Sequence, residues 1–145
     1  MNKKQPTTKK KAKFELSAGA VIINPKRGEI LMIIDQKDRF SFPKGNNEKG
    51  ETMIETAKRE ASEETGVKNL QFIAKLGEVD FFYKLKADFI FKKVAYFLFK
   101  TKSTKIKPEL EEIKDACWIK TNKVKGKIPF KNLQNIWENA QKLIN

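Results

Sequence analysis

Three glutamates in the stretch "REASEETG" (residues 59–66) have the type and spacing of a metal site. If this stretch is helical, Glu60, Glu63 and Glu64 share one side, since each residue turns a helix by about 100°. Like charges three and four residues apart repel each other, and the C-terminal end of a helix favours cations. A divalent cation would reverse this cost, and carboxylate oxygens suit Mg²⁺ or Mn²⁺. The alternative is an acidic face that only solvent covers.

Residue types that are absent from the chain narrow the chemistry further. The 145 residues contain no histidine and one cysteine, Cys117. These counts exclude a Ser-His-Asp triad, a Cys-His pair and a zinc site built from histidine or thiolates. A general base must therefore be a carboxylate, a lysine, a tyrosine or a metal-bound hydroxide. One cysteine also excludes an intramolecular disulfide, which is consistent with a cytoplasmic location.

The chain is strongly basic, with a net charge of +13 at pH 7. Residues 1–13 hold six lysines and no acid, which predicts a disordered, solvated tail over 1–13 and one folded domain over 14–145. A contact between this tail and nucleic acid or another polyanion is the alternative. There is no apolar run of transmembrane length and no secretory signal pattern. We expect no membrane partner, and we expect the protein to be a monomer.

A helix from Thr52 to Gly66 must position the three acids. Thr52 and Glu55 have the spacing of a capping box at its start, and Gly66 suits the left-handed position that ends it. Its packing side consists of apolar residues at helical spacing: Ile54, Ala57 and Ala61. The acids therefore lie at the edge of the buried side.

Most of the remaining chain favours strands, because β-branched, aliphatic and aromatic residues dominate it. The strand candidates are residues 14–24, 29–35, 70–77, 79–85, 92–102 and the end of 109–120. The first two flank the turn "NPKRGE" and predict a hairpin, whereas "RFSFPKGNNEKGE" (39–51) predicts a loop. Residues 130–145 predict an amphipathic helix with Leu133, Ile136, Trp137, Ala140 and Leu143 on one side. Strands mixed with two helices predict an α/β sandwich.

The loop and the acidic helix together carry a longer pattern. From Gly45 the chain reads "GNNEKGETMIETAKREASEETGV", which resembles the signature of the Nudix hydrolases, G-x5-E-x7-R-E-U-x-E-E-x-G-U, with U a bulky aliphatic. Every fixed position matches, and the departure is Ala61, where a larger aliphatic is commoner. The resemblance implies an αβα sandwich, with a mixed β-sheet between helices and a loop-helix-loop that carries the signature. It also implies Mg²⁺- or Mn²⁺-dependent hydrolysis of a nucleoside diphosphate linked to another group.

The resemblance assigns metal-ligand roles to individual residues. Glu60 and Glu64 are the expected main ligands, and Glu63 is a further ligand or a catalytic group that holds water. The carbonyl of Gly45 is a further expected ligand.

Supporting roles follow from the same resemblance. Arg59 is the expected orienting residue, since it can reach Glu55 and Glu63, each four residues away on the helix. Glu51 is expected to brace the loop or to contact the metal ligands without binding the metal itself.

Three further segments resemble the branch that hydrolyses diadenosine polyphosphates. In "FPKG" (42–45), Lys44 is expected to contact a phosphate as a point charge. In "EEIKDACW" (111–118), Glu112 is expected to be a metal ligand or the general base, and Glu109 and Glu111 are the neighbouring alternatives.

The third segment is aromatic and basic, "FFYKLKADFIFKKVAYFLF" (81–99). Tyr83, Lys93 and Tyr96 are the expected contacts to base, phosphate and sugar, and Phe130 is expected to stack an adenine together with Tyr83. For these aromatic residues the alternative is a place in the core, which is the usual role of alternating aromatics in a strand.

These features lead to the hypothesis that diadenosine tetraphosphate is hydrolysed asymmetrically to ATP and AMP. A lysine-rich cleft would steer such an anionic substrate inward. A rival substrate is the 5′ end of RNA, from which pyrophosphate would be removed, although bacterial enzymes of that type typically carry Gln where Lys44 stands. Oxidised nucleotides are a weaker rival. A nucleotide- or RNA-binding module without catalysis is the alternative from another class.

Overall fold

A computed structural model of the protein describes residues 12–144. Its strands are β1 (Ala12–Asn24), β2 (Glu29–Ile34), β3 (Phe40–Ser41), β4 (Lys44–Asn46), β5 (Gln71–Leu85), β6 (Asp88–Lys100) and β7 (Asp115–Lys120). Its helices are α1 (Met53–Thr65), α2 (Thr121–Lys127) and α3 (Lys131–Ile144). The predicted basic tail falls almost entirely outside the described residues, and its last two residues, Ala12 and Lys13, begin β1.

The strands form a mixed sheet in which β1 is central. The order is β3-β2-β1-β6-β5, with β1 parallel to β6 and β5 antiparallel to β6. The middle of β1 pairs with β4, from Ser17 to Gly19, and its C-terminal end pairs with β2, from Ile22 to Asn24. The sheet therefore divides beside β1, and the predicted hairpin of β1 and β2 is present.

One layer of helices covers each face of this sheet, because β6 supplies apolar side chains to both. Ala95, Phe97 and Phe99 belong to the core cluster under α1, whereas Val94, Tyr96 and Leu98 belong to the cluster under α3. The predicted αβα sandwich is therefore confirmed. No helix within residues 12–144 has the length and apolar character needed to cross a membrane.

Helix α1 forms as its local sequence predicts. Thr52 Oγ1 accepts the N–H of Glu55 at 3.1 Å, and Glu55 Oε1 accepts the N–H of Thr52 at 2.8 Å. Such a cap stabilises a helix by about 1 kcal/mol. Gly66 ends the helix at φ 77°, a left-handed conformation that glycine adopts without steric cost. Ala57 and Ala61 are fully buried against the sheet.

Several elements differ from the predictions. The two strands predicted over 70–77 and 79–85 are one strand, because Gly77 lies at a register shift that bends β5 instead of ending it. The predicted loop over 39–51 contains the short strands β3 and β4, and α2 was not predicted. Leu143 was placed on the packing side of α3, but it is 52% exposed.

Candidate functional site

The central carboxylates lie where the sheet divides, between α1 and β4. Glu64 Oε1 accepts the backbone N–H of Lys44 at 2.9 Å, which ties the helix to β4. A Cβ atom at Gly45 would overlap the carboxylate of Glu60. A glycine at position 45 is therefore a steric requirement for the observed place of Glu60.

Glu112 reaches the same place from a distant part of the sequence. The backbone N–H of Glu109 donates to the carbonyl of Glu64 at 2.8 Å, and that of Lys107 donates to Thr65 at 2.7 Å. Ile113, only 2% exposed, anchors the end of this segment in the core under α1. These contacts hold Glu112 at the cavity.

The cavity has a volume of about 410 Å³. It is lined by four carboxylates, three basic side chains and two further residues of β4: Glu48, Glu60, Glu64, Glu112, Lys44, Arg59, Lys92, Gly45 and Asn46.

Burial and mutual repulsion make Glu60 and Glu64 costly to ionise. Burial, reinforced by the charge of Glu60, raises the pKa of Glu64 to about 8. Burial also raises the pKa of Glu60, and the charges of Glu63 and Glu112 add to the shift, while Arg59 opposes it. A bound cation would offset this repulsion, since hard oxygen ligands favour divalent ions such as Mg²⁺.

The donor chemistry of the cavity therefore fits a divalent cation. Glu60, Glu64 and Glu112 are the side chains that could hold it, and Glu48 lines the same cavity. Within the described part of the chain, however, no three acidic or thiol side chains stand close enough together to enclose an ion as they are. The carboxylates thus fit a divalent cation by their residue type and by the cavity that they share, but they do not surround an ion in this conformation.

Arg59 joins the loop before α1 to the helix. Its Nε donates to Glu51 Oε2 at 2.6 Å, and its Nη2 donates to Glu51 Oε1 at 3.1 Å and to the carbonyl of Asn46 at 3.0 Å. Nη1 donates to Glu63 Oε1 at 3.1 Å. The hydrogen bonds from Arg59 lower the pKa of Glu51 to about 2, so this carboxyl is ionised at neutral pH.

Two expectations for this network differ in outcome. Glu51 does brace the loop, since its Oε1 also accepts the N–H of Glu48 and the hydroxyl of Thr56. The expected pairing of Arg59 with Glu55 is wrong, because the Glu55 carboxylate is engaged in the helix cap. Glu63 faces Arg59 and remains largely exposed.

Lys44 and Lys92 bring positive charge to the carboxylates. Burial and the nearby charge of Lys92 lower the pKa of Lys44, while Glu64 and Glu60 partly oppose the shift. The ammonium of Lys44 lies 6.0 Å from the centre of the Phe81 ring. Lys92 has a half-buried side chain whose ammonium is 3.9 Å from Glu15.

The structure places Lys92, not Lys93, at the cavity. Successive residues of a strand point to opposite faces, and Lys93 instead pairs with Glu78 at 3.5 Å and with Asp80 at 3.6 Å. Lys93, which was expected to contact phosphate, therefore lies away from the carboxylates. Lys92, which lines the cavity, was not predicted from the sequence. The sequence carries no signal for this choice, because residues 94–99 are all apolar and buried.

The aromatic residues expected to hold the nucleoside are scattered. Tyr96 is fully buried, packs edge-on against Phe42, and its hydroxyl has no hydrogen-bond partner among the described residues. A direct contact to a sugar is thus closed to it in this conformation. Phe130 packs against the core, with the guanidinium of Arg39 5.2 Å from its ring centre. Tyr83 is 40% exposed on β5.

Comparison with known proteins places this chain in one family. The NUDIX domain model matches residues 13–141. MutT4 of Mycobacterium tuberculosis is 26% identical over 147 residues, which cover 95% of this chain and 59% of that protein. The chain thus spans somewhat more than half the length of this curated relative.

Solved structures agree in fold. The Caenorhabditis elegans Ap4A hydrolase binary complex superimposes with a TM-score of 0.68 at 17% identity, covering 90% of this chain and 97% of that one. The Escherichia coli dihydroneopterin triphosphate pyrophosphohydrolase gives 0.70 at 19% identity, covering 87% and 96%. MutT from Methanosarcina mazei gives 0.68 at 23% identity, covering 91% and 96%.

These relatives have different names, but the family model extends over most of the chain. The predicted membership of the Nudix hydrolase family is thereby confirmed. The chain belongs to the NUDIX domain family, the Nudix hydrolases, which generally use divalent metal ions and act on small nucleotide substrates.

Proposed function

We propose that the protein hydrolyses dinucleoside polyphosphates, with diadenosine tetraphosphate as the substrate and ATP and AMP as the products. The observation that carries this proposal is the pair of lysines beside the carboxylates, next to two aromatic side chains of β5, Phe81 and Tyr83. We call these two side chains the aromatic wall. Lys44 and Lys92 both line the cavity, and Phe81 pairs directly with Lys92 across β5 and β6. A chain of phosphates needs such cations along its length, and a nucleoside needs an apolar surface beside them.

The aromatic wall extends away from the carboxylates along β5. Tyr83 lies two residues beyond Phe81, so both side chains point to the same face of the strand. This face also carries Lys92, because Phe81 and Lys92 are register partners. A base stacked on Phe81 or Tyr83 would therefore leave its phosphates within reach of the two lysines.

Glu60 and Glu64 are the side chains that would hold Mg²⁺ or Mn²⁺, with Glu112 and the Gly45 carbonyl as further candidates. When bound, such an ion offsets phosphate charge and activates water for attack. Glu64 must lose its proton to become a ligand, because its pKa is about 8 in the metal-free protein.

The hydrolytic step is a displacement at phosphorus. The oxygen of a water molecule forms a bond to one phosphorus, and the bridging P–O bond to the neighbouring phosphate breaks, which gives ATP and AMP. Glu112 takes the proton of the water, because it is an exposed carboxylate at the cavity in a chain without histidine. Lys44 and Lys92 hold the phosphate oxygens during the step.

Arg59 and Glu51 are positioning residues in this proposal. Their paired hydrogen bonds fix the loop that carries Asn46 to the helix that carries Glu60. Glu63 completes the network from the exposed side of Arg59. Ligand carboxylates that are held in this way lose less conformational freedom on binding a cation.

The names of the fold relatives include an Ap4A hydrolase, a dihydroneopterin triphosphate pyrophosphohydrolase and MutT proteins. The two compounds in these names, Ap4A and dihydroneopterin triphosphate, both carry a chain of phosphates, so the names support a substrate with a phosphate chain in general. The choice among these substrates rests on the two lysines and the aromatic wall.

The test is a direct product analysis. The purified protein is incubated with diadenosine tetraphosphate and Mg²⁺ or Mn²⁺, and the nucleotides are resolved by chromatography. We expect equal amounts of ATP and AMP. A competition between this dinucleotide and 5′-triphosphorylated RNA measures the preference, and release of pyrophosphate from RNA without dinucleotide cleavage would overturn the proposal. For the Glu64→Gln variant discussed below, Glu138→Gln serves as the matched control, because Glu138 lies on the exposed side of α3.

A further inference from the structure

Four phenylalanines form a continuous stack across β1, β6 and β5. The ring centres of Phe14 and Phe91 are 5.3 Å apart, those of Phe82 and Phe91 are 4.7 Å apart, and those of Phe82 and Phe89 are 5.5 Å apart. The register agrees, since Phe91 is paired with Phe14 on one side and with Phe82 on the other. Leu16 lies next to Phe14 on the same face of β1. We call these five residues the phenylalanine face.

The phenylalanine face is separate from the catalytic cavity. Phe91 alternates with Lys92 along β6, so their side chains point to opposite faces of the sheet. The face shares its side of the sheet with Ala95 and Phe97, which pack under α1. It therefore continues the side that α1 covers, at the end of the strands where the helix no longer reaches.

This face exposes an unusual amount of apolar surface. Phe14 is 80% exposed, Phe82 58%, Leu16 54% and Phe91 40%. If each side chain has about 200 Å² to expose, these four present roughly 450 Å². Two copies of the face would bury roughly 900 Å² of apolar surface, and their polar rims would bring the total above the roughly 1,000 Å² of a specific interface.

The residues around the phenylalanine face indicate which partner would cover it. Lys93, at the edge of the face, is neutralised by Glu78 and Asp80, so the surface does not have the excess of cations that a phosphate backbone needs. Residues 1–11 contain one large apolar side chain, Met1, and cannot supply the matching apolar area. An identical copy of the face supplies that area in full, since a two-fold interface uses the same patch on both subunits.

We infer that the phenylalanine face is a dimer interface, in which two copies of the chain pack sheet against sheet around a two-fold axis. Face-to-face packing of sheets about 10 Å apart lets the rings of one copy lie between those of the other. The monomer expected from the sequence is the alternative to this dimer. It is independent of the proposed substrate, because none of the face residues lines the carboxylate cavity with its side chain.

The large positive charge gives this dimer a diagnostic salt dependence. Each chain carries +13, so two copies repel each other at low ionic strength, and salt screens that repulsion over a distance of about 8 Å at physiological strength. The dimer should therefore become tighter as salt is added. Association through ion pairs, or through a bound polyanion, would become weaker.

Sedimentation equilibrium of the full chain tests the inference. The wild type is measured up to about 500 µM, at about 50 mM and about 500 mM NaCl. Phe82→Thr and Phe14→Thr are measured alongside, because threonine keeps the preference for a strand. Leu110→Thr is the matched control, since Leu110 is 65% exposed and lies outside the face.

We expect a concentration-dependent dimer in the wild type and in the control. Each phenylalanine variant should raise the dissociation constant at least about tenfold. Circular dichroism and metal-dependent turnover should be unchanged, which separates lost association from lost folding. A wild type that stays monomeric at every concentration would overturn the inference. So would a dimer that the phenylalanine variants leave intact, that Leu110→Thr weakens equally, or that added salt dissociates.

Discussion

Replacing Glu64 by Gln tests whether the ionised, buried carboxylate of Glu64 destabilises the folded protein when no cation is bound. Burial raises the pKa of Glu64 from 4.5 to about 8. A carboxyl with a raised pKa in the folded state contributes its full stability below pH 4.5, and this contribution is lost as the pH rises through 8. At about 1.4 kcal/mol per pH unit, the metal-free wild type should lose about 4 kcal/mol across this window.

The glutamine keeps the carbonyl oxygen that accepts the N–H of Lys44, but it does not titrate. Urea unfolding with a chelator present, followed by the fluorescence of Trp118 and Trp137, should therefore show a flatter pH dependence for Glu64→Gln. The variant should exceed the wild type in stability at pH 8. Its turnover with metal should fall at least about 100-fold, since even residues that only orient ligands cost 10–100-fold.

Parallel stability curves for the two proteins from pH 5 to pH 9 would refute this reasoning, because they would mean that Glu64 ionises at no cost. Near-normal turnover of the variant would show instead that the metal role is misassigned. The Glu138→Gln control should match the wild type in both assays, since that side chain is exposed on α3.

Three further predictions concern the other parts of the site. Lys92→Gln should raise the KM for diadenosine tetraphosphate about tenfold or more, because a charge-assisted phosphate contact is lost, whereas Lys93→Gln should change it little. Gly45→Ala should weaken Mn²⁺ binding measured by paramagnetic resonance, because the added methyl group displaces the Glu60 carboxylate. Arg59→Lys should lower kcat about 10–100-fold with little change in KM, since one ammonium cannot replace the forked contacts of the guanidinium.

The parts of the site that lie close together in sequence could be predicted. Thr52 and Gly66 define the ends of α1 through local hydrogen bonds and backbone conformation, which neighbouring residues alone determine. With both ends fixed, the 3.6-residue period decides that Glu60 and Glu64 lie beside the side that packs through Ala57. The signature then placed Gly45 and Arg59 next to them.

The residues whose role depends on which face of β6 points to the cavity could not be predicted. Residues 94–99 are buried on both faces, so no alternation of polar and apolar residues indicates that Lys92 points to the cavity and Lys93 away from it. Tyr96 became a core residue for the same reason. Helix α2 escaped prediction because "TNKVKGK" has one buried apolar residue, Val124, and therefore no period to detect.

The parallel pairing of β1 with β6 has a consequence for how the protein is made. Twelve register pairs join Ala12–Ile23 to Phe89–Lys100, which are separated by more than half of the chain. Loop closure over such a distance must precede this pairing, and folds that depend on it form slowly. A ribosome would release the residues of the signature, 45–67, well before the strand that carries Lys92. The emerging chain therefore contains the residues of its acidic helix before Lys92, and the cavity that we propose as the catalytic site is complete only after β6 has joined the sheet.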